Sequence, residues 1–550
     1  MRMFLVLYIG LWCMISTAEN YYVDNVAGKD SFDGKSDTVK DNTGPFATIA
    51  RALKAAGAGD TVHLNPTGRL YREGVDFNKH KGGEPGRPLV FDGHGATVSG
   101  AIPCPSNGWK VWKGGVLQRD DMRSWGFLLV DGEMVFELQT IDSLQPGEFC
   151  ILPQMPIHFF PPKEKKLDEL LIEVDQPDGT TLKLEPSKWQ RSNSKIQQVL
   201  RYPGLNKVTR MKIDGNPAPM LTAKERLQPG QWCGEGKCMY YYPPAGKSVE
   251  SLSIECAVVT NALSLNGETA WVTVQNLNVR HPNDDGYNLH GHVTHVELIN
   301  CNAFQCGDQG FSAHDQCESV VDGAVYEQCS QGVANVNGGG FSITRNAIIR
   351  NCRGPAFLIQ GAARHELTDS ILIDNSAPAH VAIEGASQFK ADNVLMVNTS
   401  SSKLLGGTGI SVNCKTSLSR ITSAGLGCVF RAGEKAEVLM ENCLFAPGQT
   451  IHIRADDPFA ILKMKNITAG KDNKIEWGKQ YPWKNMPLGE WFIQAKDKGV
   501  AENCVVQELS FQNDMIQCKM PADIPPDTGC SRELIRKFIE HITINHVIKK

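Results

Sequence analysis

Beyond its first eighteen residues the chain holds no apolar run long enough to cross a membrane as a helix, which takes about 20 residues. No excess of either charge is present: 56 Lys and Arg against 60 Asp and Glu leave a formal −4. Without a basic stripe or a polybasic segment, neither nucleic acid nor an anionic membrane surface is an expected partner. No C-x-x-C pair with matching histidine spacing occurs, so a structural zinc module is not expected. Leucine is too sparse for a leucine-rich repeat. At 550 residues the chain exceeds what one globular core organises, but a solenoid grows along one axis and escapes that limit.

What the chain does have is repetition. From Trp271 to about Gly470, units such as VTVQNLNVRHPNDDGYNL, HVELINCNAFQCGDQGFSA and SVVDGAVYEQCSQGVANV recur every 22 to 24 residues. Each carries short apolar–polar alternations broken by Asn, Asp or Gly, which predicts three short strands and three bends per unit. One unit cannot bury a face alone, so neighbours must stack. Asn276, Asn300 and Asp322 fall at one offset, where an Asx side chain can serve the bend and ladder with its neighbours. The predicted fold is all-β, a right-handed parallel β-helix.

The opening MRMFLVLYIGLWCMISTA has an early Arg, a short apolar core and small residues before Ala18. It reads as a secretory leader spanning 1–18, giving a secreted, soluble protein, expected to be a monomer. Sixteen cysteines would follow it, an even number for an oxidising compartment. Cys233 and Cys238 flank GEGK and suggest a disulfide-clipped hairpin. Cys306, Cys329 and Cys352 recur at related places on successive coils; they read equally as cross-coil disulfides or as buried thiols.

Residues 19–125 read as the N-terminal cap and first coils, with Ile49, Ala52, Leu53 and Ala56 on one face of a short capping helix. The Pro- and Lys-rich stretch 126–265 reads as an inserted β-rich subdomain whose aromatics, Trp232 and Tyr240 to Tyr242, pack on the solenoid or stack on sugar rings. Residues 266–470 form the main solenoid. The remainder, 471–550, reads as a C-terminal cap with a helix starting after Ser531.

The coils are unevenly decorated. Asp284, Asp285, His290 and His292 sit on one, and Asp308, His314 and Asp315 on the next. Registering Asp285-Gly286 over Gln309-Gly310 stacks Asp284 on Asp308 and His290 on His314, with Asn288, His290, Ser312 and His314 pointing outward. Stacked carboxylates repel and raise one another's pKa, the pattern of an acid/base site, although Asx capping of bends also places aspartates there. Asp284, Asp285, Asp308, His314 and Asp315 are the candidate catalytic residues. Gln309, His290, Gln331, Arg364 and His365 are the candidate substrate contacts. No cofactor is required by this reading; Ca²⁺ is the one ion that four carboxylates (Asp284, Asp285, Asp308, Asp315) would suit.

Several resemblances attach to these residues. The segment YYVDNVAGKDSFDGKSDT…GPFATIARAL…GDTVHL resembles the opening of secreted β-helix proteins, among them xylan- and fucoside-cleaving hydrolases. The string HPNDDGYNLHGHVTHVELINCNAFQCGDQGFSAHD is similar in spacing to polygalacturonases of the pectate-lyase-like superfamily. That resemblance implies Asp285 and Asp308 as catalytic acids. Gln309 and Gln331 replace an expected aspartate and histidine, and Glu366 replaces the lysine that would follow Arg364, which argues against a polygalacturonate substrate. GFSAHDQCESVVDG looks like the corresponding motif of alginate C5-epimerases, where His314 and Asp315 match but Ser312 and Gln309 replace the proton-transfer groups.

Three functions remain open from sequence. The first is a glycoside hydrolase acting on a poly- or oligosaccharide, with Asp308 as acid and Asp285 holding the water. The second is a uronate lyase or epimerase using Ca²⁺, with His314 as base. The third is a non-catalytic glycan-binding solenoid.

Overall fold

The protein is described by a computed structural model. It covers residues 18–550 except 78–81, 114, 121–125, 139–148, 152–156, 160–165, 176–180, 192–199, 203–209, 214–215, 218–225, 227–231, 236–237, 377–378, 400–406, 510–526 and 549–550. Residues 1–17 of the expected leader, Cys518 and the side chains of Cys233 and Cys238 lie outside the described residues. Two compact units emerge: residues up to Ala101 together with those from Val259 onward, and Ile102–Val258.

The first unit is the expected parallel β-helix. One coil runs through Tyr287–Gly291, then Thr294–Ile299 and Asn302–Phe304, before Gln309–His314 begins the next. The first strand of each coil joins a twelve-stranded sheet, and the other two join a twenty-one-stranded one. Tyr287 pairs with Phe311, Asn288 with Ser312 and Leu289 with Ala313, so alternate side chains of both coils face the same way. Inward positions such as Val272, Val274, Leu277, Tyr287 and Leu289 are fully buried and form one continuous core along the axis. Gly286 recurs for a steric reason: a Cβ there would stand 2.6 Å from the carbonyl oxygen of Gly310 on the next coil.

The bend ladder is present with one shift. Asn276 and Asn300 both adopt φ of 52°, left-handed backbone that Asn tolerates better than most residues. On the following coil the left-handed residue is Gly323, not Asp322, which instead ends the strand Glu318–Asp322. The Asp322 carboxylate still joins the ladder, accepting hydrogen bonds from Asn346 Nδ2 and Arg345 Nε at 2.8 Å each.

Cys306, Cys329 and Cys352 form a buried column of free thiols, not cross-coil disulfides. Each Sγ turns to the carbonyl two residues earlier, at the end of the preceding strand, on Phe304, Glu327 and Arg350. They pack as small apolar side chains.

Helix α1 (Ile49–Ala55) is capped by Thr48, whose side chain accepts from Arg51 N, and buries Ile49, Ala52 and Leu53. At the other end the cap lies within 471–550, on a helix the sequence did not mark. The cap there is α2 (Leu488–Asp497), which inserts Leu488, Trp491, Phe492 and Ala495 into the core. The expected helix, α3 (Arg532–Ile548), starts after Ser531 as read, but packs Leu534, Ile535 and Phe538 sideways on Ile371, Ile373, Leu395 and Val397. No helix among the described residues is long and apolar enough to cross a membrane.

The second unit contains small antiparallel sheets. It begins at Ile102 and ends at Val258, replacing the expected 126 and 265. Strands Trp109–Lys113 and Val116–Arg119 pair with each other and extend onto Cys238–Tyr241, so the segment before 126 belongs to the insertion despite its unremarkable composition. Trp232–Glu235 and Cys238–Tyr241 do make the expected hairpin, with Cys233 opposite Tyr240 and Cys238 opposite Glu235. Tyr241 is fully buried in this unit's own core against Trp109, so it is not a platform for sugars.

Candidate active site

The bends that lead into two successive strands of the twelve-stranded sheet set the acids side by side. Asp308 N donates to the Asp284 carbonyl at 2.9 Å, locking one coil on the next. Asp284, Asp285 and Asp308 each present an oxygen, and these three oxygens lie within 4.8 Å of one another.

Their environments differ. Asp285 is 2% exposed and its carboxylate is engaged throughout. Oδ1 accepts from Gln309 N at 3.0 Å, and Oδ2 accepts from Asn288 Nδ2 at 2.9 Å and Ser312 Oγ at 2.5 Å. Asn261 Oδ1 accepts from Asp285 N in the same manner, so Asn261 and Asp285 cap successive coils at one offset. Asp285 thus takes the bend-capping role expected of aspartates there, and three donors fix the orientation of its carboxylate.

Asp284 and Asp308 are half-buried. Burial, reinforced by the charges of Asp285 and Asp308, pushes the Asp284 carboxyl up to about 7. Burial and then Asp285 also raise Asp308, against hydrogen bonds from Gln309 and Ser330 and the positive charge of Arg353. Arg353 reaches back across the coils, donating to the carbonyls of Gln328, Cys306 and Gly307. The pair Asp284 and Asp308 can thus divide a proton near neutral pH, one holding it and the other able to accept one.

At the far end of the same strands His290 lies beside His314 on the next coil as expected, with ring centroids 5.4 Å apart and the ring planes tilted by 34°. His290 Nδ1 lies 3.4 Å from Asp315 Oδ2. His314 is half-buried; burial lowers its pKa against the pull of Asp285, and Asn337 Nδ2 stands 3.3 Å from its Nδ1. At the aspartate end Gln309 Nε2 donates to Gln331 Oε1 at 3.0 Å, a polar ladder beside the acids. Sequence reading missed the supporting amides Asn261 and Asn337; the 24-residue offset from Asn261 to Asp285 is the signal that could have found the first.

Arg364 and His365 do not join this group. They open a strand, Arg364–Ile373, of the other sheet. His365 is 1% exposed, bonded through Nε2 to Thr344 Oγ1 and set against Phe357 and Phe389. Burial drives its pKa down to about 3, so it is a neutral core histidine. Arg364 lies over the Phe341 ring and lines a groove of about 870 Å³ with Glu366, Lys390, Lys415 and Lys463. A second groove, of about 410 Å³, includes Trp271 and His295 and also touches Phe341. Neither groove reaches the aspartates. We place the chemistry at the aspartates nonetheless, because cavity size reports room, whereas perturbed carboxyls of neighbouring coils report reactivity.

No protein-family model and no curated protein matches the chain. Among solved structures it is similar to one described as a glycoside hydrolase, at 10% identity over 94% of this chain and 100% of that chain, with a TM-score of 0.49. It is also similar to a rhamnogalacturonan lyase, at 12% identity over 74% of this chain and 82% of that one, TM-score 0.32. A lacto-N-biosidase from Eubacterium ramulus aligns at 10% identity over 83% and 68%, TM-score 0.35. At these values the likenesses carry no argument about the reaction, which has to come from the site.

Proposed function

We propose that the protein is an exported glycoside hydrolase acting on a poly- or oligosaccharide across the aspartate-bearing coils. One observation carries the reading: Asp284, raised to about 7, stands beside Asp308 on the next coil. A carboxyl that keeps its proton near neutrality can protonate a leaving glycosidic oxygen, which an ordinary aspartate cannot. Asp284 is then the general acid and Asp308, with an oxygen within 4.8 Å of it, the nucleophile of a double displacement that retains configuration. Asp285 is a positioning residue, presenting negative charge to both while its own oxygens stay bonded. His290, His314 and Gln309 border the strip a sugar would cross, and export would follow from the leader at 1–18.

The sign of the pH dependence follows. Activity falls as pH rises through about 7, when Asp284 loses its proton. It falls again in acid, when Asp308 gains one. Asp284→Asn and Asp308→Asn should each lose release of reducing ends on a panel of neutral, sulfated and uronic glycans. Aryl glycosides with good leaving groups should restore Asp284→Asn selectively, because they need no acid, and azide should restore Asp308→Asn. Undiminished turnover by either variant on the panel would remove that residue from the mechanism.

A second reading rests on the three mutually close oxygens, which would suit Ca²⁺, with His314 as the base for removing a proton beside a uronate. It demands chelator sensitivity and an unsaturated product absorbing in the ultraviolet. Hydrolysis gives neither.

A further inference from the structure

A second cluster of metal-type ligands lies at the N-terminal end of the solenoid, on coils remote in sequence from the aspartates. His63 belongs to the strand Thr61–Leu64, and its register partner in Leu89–Asp92 is Asp92. Two residues on, His94 holds φ of 46°, a left-handed conformation unusual for histidine, which swings its ring back over His63. His63 Nδ1 and His94 Nε2 face each other at 2.9 Å, and the rings stack with centroids 5.2 Å apart. His94 Nδ1 is 3.7 Å from Asp92 Oδ1. One nitrogen from each ring and one Asp92 oxygen all fall within 4.8 Å of one another.

We propose that His63, Asp92 and His94 bind a divalent transition cation of the zinc class, tying together two coils of the solenoid. Two imidazoles and a carboxylate are the borderline donor set such ions prefer, with water completing a tetrahedron. Metal–nitrogen bonds of about 2.0–2.1 Å put two tetrahedral ligands about 3.4 Å apart. The two facing nitrogens therefore need to separate by only a few tenths of an ångström. An outer set of partners is already in place. His63 Nε2 bonds Asn20 Oδ1 at 3.0 Å, which assigns its proton to Nε2 and leaves Nδ1 as the donor toward a metal. Asp92 is 7% exposed and accepts from His94 N, Gln275 Nε2 and Asn276 Nδ2, which fixes the carboxylate. Tyr22 stacks on the other face of His63 at 5.0 Å, holding the ring plane. His94 is exposed, so an ion can enter from solvent. The absence of cysteine-based zinc spacing in the sequence did not bear on a site built this way.

The test uses the whole chain, stripped with chelator and titrated with Zn²⁺ alone by calorimetry, then with Co²⁺ by absorption. One equivalent of zinc should bind, the melting temperature should rise with zinc, and Co²⁺ should give the intense visible bands of a tetrahedral centre. His94→Asn preserves the left-handed backbone, which Asn accepts, and should weaken zinc at least about tenfold; Asn20→Ala should weaken it by a smaller factor. Asp284→Asn with Asp308→Asn should leave zinc uptake unchanged. No zinc uptake at micromolar concentrations, uptake untouched by His94→Asn, or uptake lost with the two aspartates would each overturn the assignment.

Discussion

Replacing Asp284 by Asn should stabilise the protein while disabling it, and the gain should appear only above acid pH. An unfolded aspartate titrates near 3.8, whereas Asp284 in the folded chain titrates at about 7. Below about pH 4 the residue is protonated in both states and costs nothing. Between about 4 and 7 the unfolded chain releases a proton that the folded chain retains, so folding stability falls as pH rises. Above about 7 the penalty is complete. Three units at 1.36 kcal/mol each give ~4 kcal/mol, and because Asp284 is only half-buried, solvent screening cuts this to ~2 kcal/mol. The solenoid unit has ~400 residues, and at about 2.1 cal/mol/K of unfolding entropy per residue this corresponds to a melting shift of about 2 to 3 °C. Melting followed by circular dichroism should therefore coincide for wild type and Asp284→Asn near pH 4 and diverge by that amount at pH 8, with the variant higher. A variant equally shifted at both pH values, or less stable at pH 8, would refute the claim that burial, with the charges of Asp285 and Asp308, strains this carboxyl.

Two further outcomes check the frame around the site. Ser312→Ala removes a donor to a buried carboxylate and should cost about 1.5–3 kcal/mol in urea unfolding at neutral pH; a neutral substitution would mean that Asp285 does not depend on that bond. Cys306, Cys329 and Cys352 should resist a thiol reagent until the chain unfolds, since burial pushes the thiols of Cys306 and Cys352 up and Cys329 is fully buried, and rapid native labelling of any of them would contradict the buried column.

The solenoid was legible because its determinants are local and repeated. Alternation, the Asn bends and the offset of 22 to 24 residues each restate the same coil, and the stack follows from the need to cover one coil with the next. What failed were features that appear once. The helix α2 is capped by no side chain and is introduced by Pro487, so it lacks the polar start signal that made α3 readable. The boundary at 102 was invisible because its cause is a strand pairing across more than a hundred residues, from Val116–Arg119 to Cys238–Tyr241, and nothing in the local sequence encodes the partner.

The site divides along the same line. Stacking of Asp284 on Asp308 and of His290 on His314 needed only the register, which the glycines set. Which carboxylate does what depended on three-dimensional donors. Asp285 matched a known motif as Asp308 did, yet only on Asp285 do Asn288, Ser312 and the Gln309 amide converge, which makes it the fixed member of the cluster. Ser312, noted in sequence as the loss of an acid, is instead the hydroxyl that secures one. By fixing Asp285 beside Asp284 and Asp308, these donors add its charge to the burial that keeps a proton on Asp284 at a pH where it is useful.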